Sequence, residues 1–533
     1  MDQSAPEPSR PLGSPVTADA SPGVPTHSLP ARYAFKLGSN LLSVVLSLLS
    51  QVIVLRALGP HQYGQFSYLS AFFTNTFSFL DGGTITAFYT HLSQKPRETR
   101  LITLYWRYIL GGTGVLALLV AAACWGGWNG LIWPEIPVSY ISYAFVYGGL
   151  ILACSIASYI VDAYGLTVWG EILRIIQTSL ITLLVFVFFT QQMLDLPAYY
   201  LCLLAGLLLF LAGTAVILRR HHLRLYPTPV SEPGDVRKYT RYFYQYAAPL
   251  FASTIISLLI VYCDRWMLQI FAGSTEQGIF GLAYQLAASS MIFTAALTPL
   301  ILREFSISHV INDSQQLRSR YELSYKLMFM LSCVICLFAA FHAADLTRII
   351  GGQAYVQASI ASSIMLLGPI HQSGGQIGGS FLLATGRTRL YASISIISGL
   401  LSLPLLYVMI ATPAWGGLDL GSTGLAIKLT LTQMITVEVT QLICLRILGQ
   451  SYWRNLAHRL FTLLLITGIA TIGWYCSSML LEPGVGRLFV SLGIYGILIA
   501  VSLWLLPVVM PLDRSQMLSL IDQLKALRIR SGR

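Results

Sequence analysis

LLSVVLSLLSQVIVLRAL (41–58) contains a single charge, Arg56, in eighteen residues. A helix rises 1.5 Å per residue, so such a run nearly crosses a hydrocarbon core about 30 Å thick. VLALLVAAACWGGW (115–128) is a second run of this kind. Of the 533 residues, 55% are hydrophobic and 10% charged. Soluble proteins average roughly 25% charged, and so few charges cannot cover a water-soluble particle of this size. The pattern predicts an all-α integral membrane protein.

Fourteen candidate spans follow, near 37–58, 66–91, 104–126, 138–163, 171–193, 197–218, 243–271, 279–302, 324–344, 357–385, 390–411, 423–445, 458–480 and 488–510. Residues 1–31 are rich in Pro, Ser and Ala and are expected to be a disordered cytoplasmic tail. No apolar run before a cleavage site marks them as a signal peptide.

The net charge is +11. In a soluble chain this suggests a nucleic-acid partner. Here the basic residues fall in alternate connections and predict orientation instead. Lys95, Arg97 and Arg100 follow span 2. Arg219, Arg220, Arg224, Arg237, Lys238 and Arg241 follow span 6. Arg318, Arg320, Arg387, Arg389, Arg454 and Arg459 continue the series, and Lys525, Arg528, Arg530 and Arg533 close the chain. The intervening connections hold Glu135, Asp195, Glu276 and Asp419, with Arg348 and Arg487 as exceptions. Both termini are therefore expected in the cytoplasm.

The chain repeats itself. LGPHQYGQF (58–66) places Gly59, Gly64 and Phe66 as AGSTEQGIF (272–280) places Gly273, Gly278 and Phe280. AYGLT around Gly165 and ATGRT around Gly386 echo each other more weakly. Six spans separate the copies, an even number, so the halves share one orientation. Two pseudo-symmetric lobes around a central cavity are expected. The division is an N-lobe at 32–218, a cytoplasmic linker at 219–242 and a C-lobe at 243–448. Extra spans occupy 449–510, and a basic cytoplasmic tail occupies 511–533.

LGSNLLSVVLSLLSQVIVLRALGPHQYGQFSYLSAF (37–72) resembles the opening of the Wzx-like polysaccharide flippases of the multidrug/oligosaccharidyl-lipid/polysaccharide exporter superfamily. Gly38, Ser39, Arg56, Leu58, Gly59, Pro60, Tyr63, Gly64 and Phe66 carry the likeness. LDGG (80–83), YCDRWML (262–268), the stretch 382–410 and GSTGLAI (421–427) extend it across nearly the whole of 35–510. The resemblance implies an alternating-access transporter of the MOP/MATE-like fold in a bacterial inner membrane. Its implied substrate is an undecaprenyl-pyrophosphate-linked oligosaccharide, and other polysaccharide-assembly membrane proteins are possible partners.

Charges at membrane depth are costly and mark candidate sites. Arg56, Asp81, Asp264, Arg265 and Lys428 are the cavity candidates. Arg56 could grip phosphate or snorkel to the interface. Asp81 could bind a coupling cation, pair with an arginine or cap a helix. Asp264 and Arg265 point about 100° apart on a helix and cannot simply neutralise each other. Glu171 and Arg174, three apart, suit a structural ion pair. Gly374 and Gly378 in a G-x-x-x-G run suit close helix packing or a hinge, and Pro299 and Pro369 suit kinks.

Cys333 and Cys336 form a C-x-x-C inside an apolar run and are expected to pack rather than bind metal. His91, His309 and His371 lack ligand spacing. No cofactor is expected, and the coupling ion, Na+ or H+, stays open. No G-x-x-x-x-G-K-[ST] is present, so an ATP-driven pump within this chain is disfavoured. Short outer connections disfavour a membrane glycosyltransferase or polymerase. A cation-coupled drug antiporter is the alternative transporter.

Overall fold

A computed structural model describes residues 29–505, apart from 83, 96–98, 227–232 and 312. For 29–37, 40, 41, 86, 233–254, 293, 295 and 296 it describes the backbone alone. Of the tail expected at 1–31, residues 1–28 lie outside the described residues and 29–31 already belong to α1; the tail expected at 511–533 lies outside them. All regular structure among the described residues is helical. The α-helices are α1 (Leu29–Asp81), α2 (Thr84–Gln94), α3 (Arg100–Trp125), α4 (Asn129–Ile132), α5 (Val138–Ala163), α6 (Thr167–Thr190), α7 (Leu196–Arg220) and α8 (Pro233–Ser290). They continue as α9 (Ile292–Val310), α10 (Ser314–Phe341), α11 (Ala343–Gly351), α12 (Ala358–Ala384), α13 (Thr388–Ile410), α14 (Gly421–Ile447), α15 (Tyr452–Leu480) and α16 (Val485–Leu505).

Straight, the 53 residues of α1 would run about 80 Å, more than twice the hydrocarbon core. They do not run straight. Gly59 leaves the helix at φ 66° and ψ 176°, a backbone that disfavours side chains. Gln51 Nε2 donates to Tyr63 Oη at 3.2 Å. A straight helix would hold residues twelve apart at about 18 Å. The chain therefore folds back at Gly59. Pro60 opens the returning arm, where its missing N–H costs nothing.

α8 repeats the device at Gly273, with φ 79° and ψ −177°. Arg265 Nη1 donates to Gln277 Oε1 at 3.2 Å across that turn. The pairs 51/63 and 265/277 are both displaced by the repeat offset of 214. The weaker echo is also built alike. Gly165 N donates to Asp162 O and Leu166 N to Val161 O; Gly386 N donates to Leu383 O and Arg387 N to Leu382 O. Both glycines hold positive φ, 75° and 74°, as this helix-ending turn requires.

The two arms of α1 pack with α5 and α6, and α7 packs on α5 and α6; α8 packs with α12, α13 and α14. α1 and α8 meet along a central seam. α15 and α16 pack on each other and reach the C-lobe through α10, α11 and α14. Among the described residues, ten helices are long and apolar enough to cross a membrane, α1 and α8 among them. α12 and α14 fall outside this group. α12 is largely buried in protein, where its Gly and Gln cost less than they would against lipid; α14 buries Lys428, Thr440 and Gln441 and leaves Leu431, Met434, Ile435 and Val439 exposed. Leu118, Leu401, Leu464 and Ile497 are each at least 66% exposed, an apolar surface suited to acyl chains.

Within the connection at 219–242, α7 ends at Arg220 and α8 begins at Pro233. Cys333 and Cys336 are buried and free, and Cys336 Sγ donates to Ser290 Oγ at 3.4 Å.

Candidate functional site

Where the arms meet, the repeat becomes a reciprocal contact. A Cβ on Gly64 would stand 1.7 Å from Ser274 O, and one on Gly278 would stand 2.0 Å from Pro60 O. Gly64 corresponds to Gly278 and Pro60 to Ser274, each by 214. The pseudo-twofold axis therefore passes between the two glycines. The backbones touch there because neither carries a side chain.

Around this crossing, each lobe lends a loop to the other. The N-lobe loop 126–137 accepts hydrogen bonds from the C-lobe. Trp266 Nε1 donates to Leu131 O at 3.0 Å and Gln269 Nε2 to Pro134 O at 3.0 Å. Ser274 N and Oγ donate to Glu135 Oε2 at 3.1 and 3.2 Å. The carboxylate thus caps the second arm of α8 just past Gly273, where the helix dipole favours negative charge. The C-lobe loop 342–357 does the converse. Ile349 O accepts from Arg56 Nη2 at 2.6 Å, and Tyr355 packs edge-on against Tyr63. Further along the seam, Thr76 Oγ1 and Tyr262 Oη lie 2.6 Å apart. These contacts hold the seam shut at the Gly59/Gly273 end.

The candidates separate on this frame. Arg265 faces the seam. Its guanidinium lies 4.5 Å over the Phe280 ring and 5.6 Å from the Tyr284 ring. Nη1 also approaches Ser67 Oγ of the other lobe at 3.4 Å. Among the described residues, no carboxylate pairs with it. Asp264, its neighbour, turns into the C-lobe and meets Lys428 Nζ at 2.6 Å. Lys428 is 1% exposed, so this pair neutralises itself in the interior, away from the seam. Arg56 is exposed and holds the Ile349 carbonyl.

Asp81 does not sit within a continuous helix as the span count assumed. Gly82, at φ 51°, breaks the helix there. Asp81 Oδ1 accepts from Ile85 N at 2.7 Å and Tyr105 Oη at 2.9 Å, so it caps α2. Glu171 is buried, 3.9 Å from Arg174, and also accepts from Ser39 Oγ at 2.8 Å, tying α6 to α1. A Cβ on Gly378 would lie 2.7 Å from the Thr440 methyl, and one on Gly374 3.0 Å from the Tyr325 ring. Gln441 Nε2 donates to Gly374 O at 2.9 Å across the same contact. α12 thus packs closely on α10 and α14. Pro369 is buried within α12 and Pro299 exposed within α9; neither breaks its helix.

Several partners were not singled out from the sequence. Glu135 appeared there only as an outer acid, yet it is the loop's contact with α8. Glu438 pairs bidentately with Arg459 at 2.5 and 2.8 Å and accepts from Tyr452 Oη at 2.7 Å, docking α15 on α14. Asp345 accepts from Arg487 Nη2 at 2.6 Å and lies 3.0 Å from His342 Nδ1, while His342 Nε2 lies 2.7 Å from Ser491 Oγ. This buried cluster joins α16 to α11. It also explains Arg487, an exception to the loop-charge pattern, because the residue is neutralised and enclosed. Apart from His342 and Asp345, three apart, these pairings join residues 14 to 149 positions apart, beyond the reach of helical spacing.

Solved transporters share this architecture. The chain is similar to the lipid II flippase MurJ in an inward closed conformation. The TM-score is 0.66 and identity 14%, over 88% of this chain and 98% of that one. An inward-facing multidrug resistance MATE family transporter of the MOP superfamily gives a TM-score of 0.63 at 12% identity, over 78% and 98%. A MOP superfamily transporter from Pyrococcus furiosus gives 0.53 at 11%, over 79% and 96%. At these identities the likeness is one of fold. No curated protein matches the chain. Residues 33–305, just over half of the chain, match the family described as polysaccharide biosynthesis protein, and this multi-pass membrane protein belongs to that family.

Proposed function

We propose that the chain moves a lipid-linked oligosaccharide, of the undecaprenyl-pyrophosphate class, between the leaflets of a bacterial inner membrane by alternating access. The observation that carries this reading is the charge at the seam. Asp264, Asp345 and Glu438 are each paired with Lys428, Arg487 and Arg459 inside the C-lobe or at its edge. Arg265 faces the other lobe, and among the described residues no carboxylate pairs with it. A drug antiporter for cations calls for a negative seam; a diphosphate calls for a guanidinium that can bind it bidentately. Aromatic rings flank Arg265, and sugars stack on such faces.

An apolar groove of about 240 Å³ opens beside Leu48, Leu49, Leu282, Leu286 and Ile350, between the first arm of α1 and the second arm of α8. It offers the polyprenyl chain a lateral path. The loop charges favour fourteen crossings with both ends cytoplasmic, α1 and α8 each crossing twice. The shut end at Gly64 and Gly278 then faces outward.

The test is transport in proteoliposomes with a polyprenyl-diphosphate oligosaccharide. Arg265→Gln is expected to slow flipping at least tenfold, and Arg265→Lys to restore part of it. Proton-coupled export of cationic drugs with no flipping, or unchanged flipping by Arg265→Gln, overturns the proposal.

A further inference from the structure

α7 and α14 each end their lobe's sixth span and close with one turn. In α14, Gly449 N donates to Arg446 O at 3.2 Å and Gln450 N to Leu445 O at 2.9 Å. In α7, His222 N donates to Arg219 O at 3.0 Å and Leu223 N to Leu218 O at 2.8 Å. The sequences align as Leu218-Arg219 with Leu445-Arg446. The left-handed position is Gly449 in one copy, φ 64°, and His222 in the other, φ 59°. An L side chain is uncommon there, and glycine is the usual solution. The repeat thus keeps the relaxed residue in the C-lobe and tolerates strain in the N-lobe. Strain that persists is held by its surroundings and points to use. The holding is visible: Leu218 is fully buried, Leu223 and Leu225 pack beside it, and Trp106 Nε1 donates to Leu225 O at 3.0 Å.

The strained turn frames a cavity of about 620 Å³ lined by Arg219, His222, Arg224 and Tyr226, with Ala215, Leu223 and Leu225. Among the described residues, no carboxylate lines it and none pairs with Arg219 or Arg224. The cavity lies at the end of α7, a helix long and apolar enough to cross a membrane, where the membrane boundary is expected. Two guanidiniums, an imidazole and a phenol, all on exposed residues of its wall, supply donors that suit the oxygens of a phosphate group.

We propose that Arg219, His222, Arg224 and Tyr226 form a phosphate-binding site separate from the seam, filled by a free phosphate or by the headgroup of an acidic phospholipid. The site does not depend on the flippase reading, since it needs neither Arg265 nor transport.

The full-length protein tests this. Binding of inorganic phosphate is measured by calorimetry in detergent, and retention of phosphatidylglycerol against phosphatidylcholine by mass spectrometry of nanodiscs. Either ligand binding the wild type supports the site and names its source. Arg219→Gln/Arg224→Gln is expected to weaken that binding by on the order of tenfold or more. His222→Gly separates use from architecture. It relaxes the turn, so the melting temperature is expected to hold or rise while binding falls severalfold. The proposal is overturned if neither ligand binds the wild type above the neutral-lipid control. It is equally overturned if the arginine variant binds as the wild type does and only loses stability, as cations that merely offset the helix dipole would.

Discussion

Replacing Gly64 by alanine should open the seam from one end. The new Cβ would stand 1.7 Å from Ser274 O and 2.8 Å from Gly278 N, where contacts under 3.0 Å are essentially never seen. Both obstacles are backbone, so no rotamer change relieves them. The arms must part by about 1.3 Å, which breaks the hydrogen bonds from Gln269 and Ser274 to the loop around Glu135. Overpacking of this kind costs about 1–3 kcal/mol, and here it falls only on the shut state. The equilibrium should shift toward the opened seam by roughly 5- to 150-fold. A cysteine at position 67, beside the crossing, reports this in a background without the native cysteines. Its labelling by a membrane-impermeant maleimide should accelerate in proportion. Gly278→Ala should act in the same direction, since a Cβ there meets Pro60 O at 2.0 Å. Each lobe is otherwise untouched, so unfolding should change little. Parental labelling rates in both folded variants would refute the reciprocal glycine contact as the seal.

Lys428→Met should destabilise by about 3–5 kcal/mol, because it strands Asp264 in the C-lobe interior, whereas Asp264→Asn/Lys428→Met should recover most of that loss; denaturant unfolding in detergent compares them. Arg487→Met should release α16 from α11, seen as faster proteolysis in the connection between α15 and α16, with transport retained if the last two helices serve only as support. Protection equal to the parent would show that the Asp345 cluster does not hold α16.

The sequence exposed those parts of the fold that depend on local composition. Apolar runs gave the helices, and the spacing of Gly59, Gly64 and Phe66 gave the repeat, since a tight reversal and a backbone crossing both exclude side chains. Loop glycines 165 and 386 were legible for the same reason. Partnership was not legible. Asp264 and Arg265 read alike as charges at membrane depth, and a linear chain holds no signal that one meets a lysine 164 positions away and the other does not; for Asp81 a helix cap was one of three readings the sequence left open. Asp81 with two following glycines was compatible with a helix end, but a polar residue inside one long span satisfies the same pattern, so the break at Gly82 could not be chosen from the sequence.

The repeat also shows where the two lobes have ceased to be equivalent, and the differences run in one direction. Gln51 and Tyr63 pair across the first reversal; their counterparts Arg265 and Gln277 pair across the second. The geometry is kept and a positive charge is added on the C-lobe side alone. In the loops at the shut end, Glu135 reaches the C-lobe as a carboxylate, while the C-lobe loop answers with a bare carbonyl that takes Arg56. The negative end of this arrangement is spent on capping a helix at the shut end. The positive charge stays deeper in the seam, over aromatic rings. A symmetric ancestor would present matching charge from both lobes. This chain presents a cation from one lobe and hydroxyls from Ser67 and Thr76 of the other, a polarity that suits an anionic group joined to a glycan.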